Sequence, residues 1–255
     1  MSTMAIETQL GTDRDLQDAV IRYLSDARLR RSSPNHVPLS QAQASRAEKF
    51  ARFLARRYYR DRLVRSFRYS HLFRAEIGGS AEEISAGPLF NEFLRDCVLG
   101  SFESACRVGK MAEDYLAVPV DKAPGPWWSE LLTYEEAFFL QAATAENVPV
   151  GKVPRRGLST VVRRFQWSLP ELLSRLRENQ EVINLAQKSV DLLFSRTREG
   201  RIYVVEMEGA TAAVFSAVNG EGSVEELADA VGISPASCQS ILASLRQIGA
   251  VVGPG

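Results

Sequence analysis

Val190-Asp-Leu-Leu-Phe-Ser-Arg196, Thr197-Arg198-Glu199-Gly200 and Arg201-Ile-Tyr-Val-Val-Glu-Met207 are three consecutive stretches in the last quarter of the 255-residue chain. The outer two are rich in apolar, β-branched and aromatic residues, whereas the middle one is a short polar run that ends in glycine. This order is typical of two antiparallel strands joined by a tight turn. The sequence therefore predicts a β-hairpin here, and the organisation of the surrounding chain follows from it.

The residues after this hairpin have helical rather than strand periodicity. Apolar residues recur at helical spacing over 213–218, before a run that contains two glycines. Ser223 with Glu226 predicts a capping box at the start of a second helix, and Ser234-Pro235 has the order of a cap followed by the first helical residue of a third. A hairpin with three short helices, two of them joined by a few residues that include glycine, indicates a winged-helix-type unit.

The chain before this unit is predicted to be helical as far as about residue 148. Helices are expected at 12–29, 40–73, 88–99 and 102–116, and another follows Trp127-Trp128. The run 147–157 contains Pro and Gly and is the predicted domain boundary, and one further strand is expected within 158–167. The predicted fold class is α+β, mostly α, with a helical domain over 12–148 and a winged-helix-like domain with a small antiparallel sheet over 154–255.

The formal net charge of the chain is zero, but its charges are segregated along the sequence. Residues 41–75 contain ten bases and two acids, and residues 76–150 contain four bases and thirteen acids. The favoured interpretation is a solvated basic face, or one that pairs with the acidic segment. Two alternatives stay open: the basic helix could bind a nucleic-acid backbone and stack bases on Tyr58, Tyr59 and Tyr69, or its arginines could dock an acidic partner protein.

Three residues of the helical domain are candidates for contact with a partner protein. Arg57 and Arg60 belong to the basic helix, and Trp127 would be a partner contact if its ring is exposed. The neighbouring Trp128 is expected to anchor the core instead.

The C-terminal unit lacks the positive charge that DNA recognition requires. Residues 202–255 contain six acids and a single base, Arg246. Recognition helices use Lys or Arg to contact phosphates, so this unit is not expected to bind DNA. An exposed hairpin edge beside an apolar helix is instead suited to an extended peptide, which can add to the sheet as one more strand.

Several positions in this unit resemble the PqqD-like fold, the recognition element that binds the leader of ribosomally made (RiPP) precursor peptides. The resemblance lies in Gly209, Val214-Phe215, Val218-Asn219-Gly220 and Ser223-Val224-Glu225-Glu226-Leu227. In that family the leader pairs with the edge strand of the sheet and lies against the third helix. The resemblance thereby implies a peptide site formed by Arg201, Ile202, Tyr203, Val204, Val205, Cys238, Ile241, Leu242 and Leu245.

A second run, Arg156-Gly-Leu-Ser-Thr-Val-Val-Arg-Arg-Phe-Gln-Trp-Ser-Leu-Pro-Glu-Leu-Leu173, is similar to a segment in helper subunits of multinuclear non-haem iron oxidases (the MNIO family). Those helpers also have a helical domain followed by a recognition domain. Known branches modify methanobactin precursors or remove a carbon from a C-terminal cysteine in 3-thiaglutamate biosynthesis, and the length and C-terminal pattern resemble the second branch more. The resemblance implies a heterodimer in which this chain presents a precursor peptide to an iron enzyme for modification of a cysteine.

The chain itself contains few residues that could carry out chemistry. It has two histidines and three widely spaced cysteines, Cys97, Cys106 and Cys238, with no zinc-site or phosphate-loop spacing. Adjacent carboxylates such as Glu135-Glu136 are interpreted as solvated helix faces, because neighbours in sequence point apart on a helix. We therefore expect no catalytic residue, metal site or cofactor in this chain, and iron in the partner enzyme.

The expected location is the cytoplasm. No apolar run approaches the length of a membrane helix, and the first ten residues lack the pattern of a signal peptide. An odd number of cysteines at wide spacing indicates reduced thiols. The main alternative function is a winged-helix transcriptional or RNA-binding regulator that uses the basic helix over 41–75.

Overall fold

The computed structural model describes residues 14–15, 17–32, 40–145 and 152–253, and these form an α+β fold that is mostly helical. The start of the predicted first helix and residues 147–151 of the predicted domain boundary lie outside the described residues. Before residue 145 the α-helices are α1 (17–25), α2 (Ala27–Ser32), α3 (Gln41–Ser66), α4 (Arg74–Ile77), α5 (Pro88–Phe93), α6 (Phe102–Leu116) and α7 (Trp128–Ala143). Within the described residues, no helix is both long and apolar enough to cross a lipid bilayer.

After residue 152 the predicted hairpin, the strand before it and the three helices after it are all present. The elements are β1 (Arg155–Arg156), β2 (Val161–Trp167), α8 (Leu169–Arg177), β3 (Gln187–Arg196), β4 (Ile202–Glu206), α9 (Gly209–Ala217), α10 (Val224–Val231), α11 (Pro235–Gln247) and β5 (Val251–Val252). Strands β2, β3 and β4 form an antiparallel sheet in that order, and β1 pairs with β5 in a second, two-stranded sheet.

The three-stranded sheet separates two hydrophobic cores. Side chains alternate along β3, so Phe194 faces the helices of the N-terminal part while Leu193 faces α9–α11. The Phe194 ring lies 5.3 Å from that of Tyr134 on α7, centroid to centroid. The first core also takes in Phe165 of β2, so it extends across the boundary predicted from sequence. The first core therefore contains residues of both predicted domains, whereas the second contains residues of the C-terminal one alone.

Helix starts agree with the capping patterns in the sequence. Ser40 and Gln43 form a capping box before α3, in which the Ser40 N–H donates to Gln43 Oε1 at 2.9 Å. Ser223 and Glu226 form the same arrangement before α10, and Ser234 caps α11 with Pro235 as its first residue. These short-range signals are reliable because each depends only on residues three positions apart.

The long basic helix ends earlier than predicted. Helix α3 stops at Ser66, and a separate 3-10 turn covers Ser70–Phe73. The Glu135 carboxylate on α7 accepts hydrogen bonds from the backbone N–H groups of Tyr69 at 2.6 Å and Ser70 at 3.2 Å. Those N–H groups are therefore unavailable to the helix, which cannot continue through them.

The predicted helix over 88–99 is also shorter in the structure. Helix α5 ends at Phe93, because the chain beyond it pairs with the segment between α1 and α2 instead. The Ala27 N–H donates to the Cys97 carbonyl at 3.0 Å, and the Leu99 N–H donates to the Ser25 carbonyl at 2.8 Å. This bridge is a contact between segments about seventy residues apart, which local sequence patterns do not encode.

Candidate functional site

Strand β4 lies at the edge of the three-stranded sheet, and the hydrogen bonds at its two ends define which backbone groups face outward. The Thr197 N–H donates to the Arg201 carbonyl at 2.9 Å, and the Met207 N–H donates to the Asp191 carbonyl at 2.8 Å. Bonded and non-bonded pairs alternate along an antiparallel ladder. With the observed register, the N–H and C=O groups of Ile202, Val204 and Glu206 point away from β3.

No other strand of the described chain pairs with this outer side of β4. The side chains of Ile202, Tyr203, Val204 and Val205 are all partly buried. Val204 packs against the first core and Val205 against the second, so both faces of the strand are supported from inside. The β4 edge is thus a fixed row of unpaired backbone donors and acceptors. The remaining predicted strand residue, Arg201, is exposed and belongs to the turn.

Most of the residues predicted on the third helix as part of the peptide site lie in the interior of the protein. Cys238, Leu242 and Leu245 are buried in the second core, where they pack with residues such as Val214. Only Ile241 of this set is partly exposed. Ile241 is therefore the only one of the four that keeps part of its side chain at the surface, whereas the other three support the fold from within.

Helix α3 carries an exposed stripe that contains both apolar and basic side chains. Phe50, Phe53, Arg57, Arg60 and Val64 recur every three or four residues, so they lie on one helical face, and all five are exposed. Phe53 is 56% exposed. The buried face of α3 is formed by other positions, which include Ala51, Ala55, Tyr59 and Leu63.

The basic charge of this segment is not cancelled by the acidic segment that follows it. Among the described residues, Arg74–Glu83 at 2.7 Å is the only ion pair that joins 41–75 to 76–150. Arg62 instead donates to the Ala142 carbonyl at 2.9 Å and lies 3.3 Å from the centre of the Tyr58 ring. Within the stripe, the side chain of Arg57 is 71% exposed. Its Nε atom lies 3.9 Å from Asp61 Oδ2, so the ion pair between them is long. The stripe is therefore a positively charged surface with exposed aromatic rings.

The aromatic residues proposed from sequence for base stacking or partner contact are not accessible. Tyr59 and Tyr69 are buried, and Tyr58 donates its hydroxyl to the Ala143 carbonyl beneath Arg62. Trp127 is only 3% exposed and packs against Phe73. The exposure on which its partner role depended is absent. Trp128 is buried as expected, and its indole N–H donates to the Leu116 carbonyl at 3.2 Å.

The prediction that adjacent carboxylates are solvated faces is wrong for the pair on α7. Glu135 is completely buried, and burial raises its pKa to about 8, although the N–H donors of Ser70 and Tyr69 and the charge of Arg68 oppose this rise. The Glu136 carboxylate lies 3.7 Å from Arg163, and burial raises its pKa too. The signal in the sequence was the apolar content of α7 on all sides, which is typical of a fully buried helix.

Within the described parts of the chain, no group of His, Cys, Asp and Glu is arranged to hold a metal ion. The three cysteines are free thiols, and Cys97 and Cys238 are buried. Burial raises the pKa of the Cys97 thiol to about 11, so this group is protonated at neutral pH.

No protein-family model matches the chain, and a search of curated proteins finds no match either. The features that a functional account must explain are the unpaired β4 edge and the exposed stripe on α3.

The buried Glu135 predicts an unusual dependence of stability on pH. Its pKa is higher in the folded protein than in the unfolded chain, where a glutamate titrates near about 4.3. The folded state therefore holds the proton more tightly, and this contribution to stability is present at low pH and lost as pH rises towards 8. The free energy of unfolding can be measured by urea unfolding at pH 5, 6.5 and 8. We expect its fall between pH 5 and pH 8 to be smaller in Glu135→Gln than in the wild type, by about 1 kcal/mol or more.

The matched control is Glu76→Gln, which changes an exposed glutamate. It should keep the wild-type pH profile. Equal slopes for the wild type and Glu135→Gln would show that Glu135 does not carry this proton.

Proposed function

We propose that this chain is a non-catalytic partner subunit that binds an extended precursor peptide at the β4 edge and presents it to an iron-dependent oxidase of the MNIO type. The observation that carries the proposal is the edge strand itself, with the outward N–H groups of Ile202, Val204 and Glu206 left unpaired by the sheet. Strand addition satisfies such groups and supplies affinity that does not depend on the peptide's side chains. The winged-helix, PqqD-like assignment of 154–255 belongs to the same proposal.

Specificity in this account comes from side chains on either side of the added strand. The half-buried Ile202 and Val204 lie on one face of β4, and Tyr203 and Val205 lie on the other. Ile241 is the member of the third helix left to contact an apolar leader residue. Because Cys238, Leu242 and Leu245 are interior, their substitution would weaken peptide binding only by disturbing the fold.

The α3 stripe is the surface that we assign to the enzyme partner. Exposed Phe50 and Phe53 beside Arg57 and Arg60 combine apolar area with positive charge, which suits an acidic, partly apolar surface on a partner. Trp127 takes no part, because it is buried. The modified residue in the peptide would be a cysteine, the iron would belong to the enzyme, and both proteins would act in the cytoplasm.

The alternative is a regulator that binds nucleic acid through α3. Its support is the basic charge of the same stripe, but the tyrosines that would stack bases are buried or covered. An electrophoretic shift of random-sequence DNA or RNA at physiological salt, lost in an Arg57→Gln and Arg60→Gln double variant, would favour the regulator over the partner subunit.

Proline at position 204 is the direct test of strand addition. Val204 directs its N–H outward, so Val204→Pro removes one hydrogen bond to the peptide and introduces a local clash. We expect it to weaken binding of the leader of a precursor peptide encoded beside this gene by at least about tenfold in isothermal titration, since a lost hydrogen bond that leaves its partner unsatisfied costs about 1–3 kcal/mol. Wild-type affinity in a folded Val204→Pro protein would rule out the β4 edge as the site.

Two further variants separate the backbone effect from other effects. Val204→Ala keeps the N–H group and should cost on the order of 1 kcal/mol or less. Tyr203→Pro is unsuitable as a test, because the Tyr203 N–H faces β3 and its loss would damage the sheet. Val204→Pro should still form the complex with the enzyme, which confirms that the fold of the variant is intact.

The docking surface predicts a second and independent phenotype. We expect Phe53→Ser to weaken the complex with the coexpressed iron enzyme, because the substitution removes exposed apolar area from the stripe. Ile183→Ser is the matched control, since Ile183 is exposed to a similar extent, 57%, but lies in the loop between α8 and β3. On size exclusion at micromolar concentration, the Phe53→Ser variant and the enzyme should elute separately, whereas the Ile183→Ser variant should elute together with the enzyme as one complex. Coelution of both variants with the enzyme would place the interface elsewhere.

A further inference from the structure

A cavity of about 410 Å³ lies where the hairpin turn, the end of α11 and the segment before β2 meet. Arg196 and Arg198 line it from the hairpin, Arg246 from α11, and Glu199 is the single acid among its lining residues. None of the lining residues belongs to β4, so the cavity is separate from the β4 edge. Its wall carries more positive than negative charge.

Arg246 is the notable member of this wall. It is the only base in residues 202–255. Its Nε and Nη2 atoms are shielded from solvent, and neither has a hydrogen-bond acceptor in the described part of the chain. Leaving buried N–H groups of a charged side chain unpaired is unfavourable. Because both atoms are shielded, the guanidinium must turn towards the cavity before this edge can reach an acceptor there, and an acceptor reached in this way would pair the two N–H groups.

The geometry of those two atoms defines the acceptor. Nε and Nη2 form one side of the planar guanidinium, and their N–H bonds point the same way. Two such donors match two oxygens of a carboxylate or a phosphate, and these bidentate pairs are among the strongest hydrogen bonds in proteins. Arg198 is exposed at the same cavity, with no ion pair to a described residue.

The backbone around the cavity is held in place by close contacts. Gly249 has a φ of +76°, and a Cβ there would lie 2.2 Å from the Arg196 carbonyl oxygen. The Gly157 N–H donates to the Ala250 carbonyl at 3.0 Å, and the Ser195 hydroxyl donates to the Ile248 carbonyl at 2.8 Å. Three segments distant in sequence thereby form a fixed frame. Such a frame lowers the entropic cost of holding a ligand.

We propose that this cavity binds a small molecule through an oxyanion group, a phosphate or a carboxylate, with Arg246 as the bidentate donor and Arg198 as a second cation at the rim. The cavity is larger than a single phosphate ion, so it also accommodates part of the body that carries the anion. Binding here does not require a peptide at the β4 edge, and the two sites can be tested separately.

The test uses the full chain, with inorganic phosphate and N-acetylaspartate as separate probes and sodium chloride at matched ionic strength as the blank. We expect at least one probe to raise the Tm of the wild type above the blank. Arg246→Gln should lower the affinity for that probe by about tenfold or more, the scale expected for loss of a charge-assisted hydrogen bond. Arg198→Gln should weaken it less, because this residue is at the rim.

The matched control is Arg65→Gln, which removes the same charge from an exposed position on α3. It should leave the response unchanged. A response to phosphate alone indicates a phosphorylated ligand, and a response to N-acetylaspartate alone indicates a carboxylate ligand. The inference is overturned if neither probe exceeds the blank, or if Arg65→Gln reduces the response as much as Arg246→Gln. Arg198→Gln keeps the test valid should Arg246→Gln fail to fold.

Discussion

Strand β3 is buried on both faces, and both hydrophobic cores depend on it. Phe194 packs with Tyr134 on the side of α7, while Leu193 packs with the helices that follow the hairpin. Alternation along a strand means that a shift of one residue would exchange these two faces. The register of β3 is therefore strongly constrained, and it fixes the register of β4 in turn. The direction of the Val204 N–H group, on which the proposed peptide addition depends, is a consequence of core packing.

The glutamates of α7 connect this helix to segments that precede it and follow it in the sequence. Glu135 accepts the backbone N–H groups that end α3, and Glu130 accepts those of Gln166 at 2.8 Å and Trp167 at 3.0 Å in β2. A carboxylate with two backbone donors can replace the partner that a helix or strand end lacks. Glu136 is the third acid of this helix that reaches another segment, and it pairs with Arg163. None of these contacts uses the exposed stripe of α3 or the outer edge of β4.

Local patterns were sufficient to predict much of this architecture. The hairpin, the three following helices and the caps at Ser40, Ser223 and Ser234 depend on residues close together in sequence. Patterns of this kind could not show that Phe53 faces solvent or that Trp127 is buried, because both depend on which helix covers which face. The same limit applies to the residues predicted to bind the peptide. The edge strand could be predicted from turn and alternation, whereas the burial of Cys238, Leu242 and Leu245 required the packing of α11 against α9 and the sheet.

The most direct test of peptide addition is amide hydrogen exchange at single-residue resolution, measured by NMR on the ¹⁵N-labelled protein with and without the leader peptide. Strand addition should produce new protection at Ile202, Val204 and Glu206, whose N–H groups point outward, and little change at Tyr203 and Val205, whose N–H groups already face β3. This alternating pattern is specific to an added strand. Unchanged exchange at all three outward positions while the peptide is bound would show that the peptide does not add to β4.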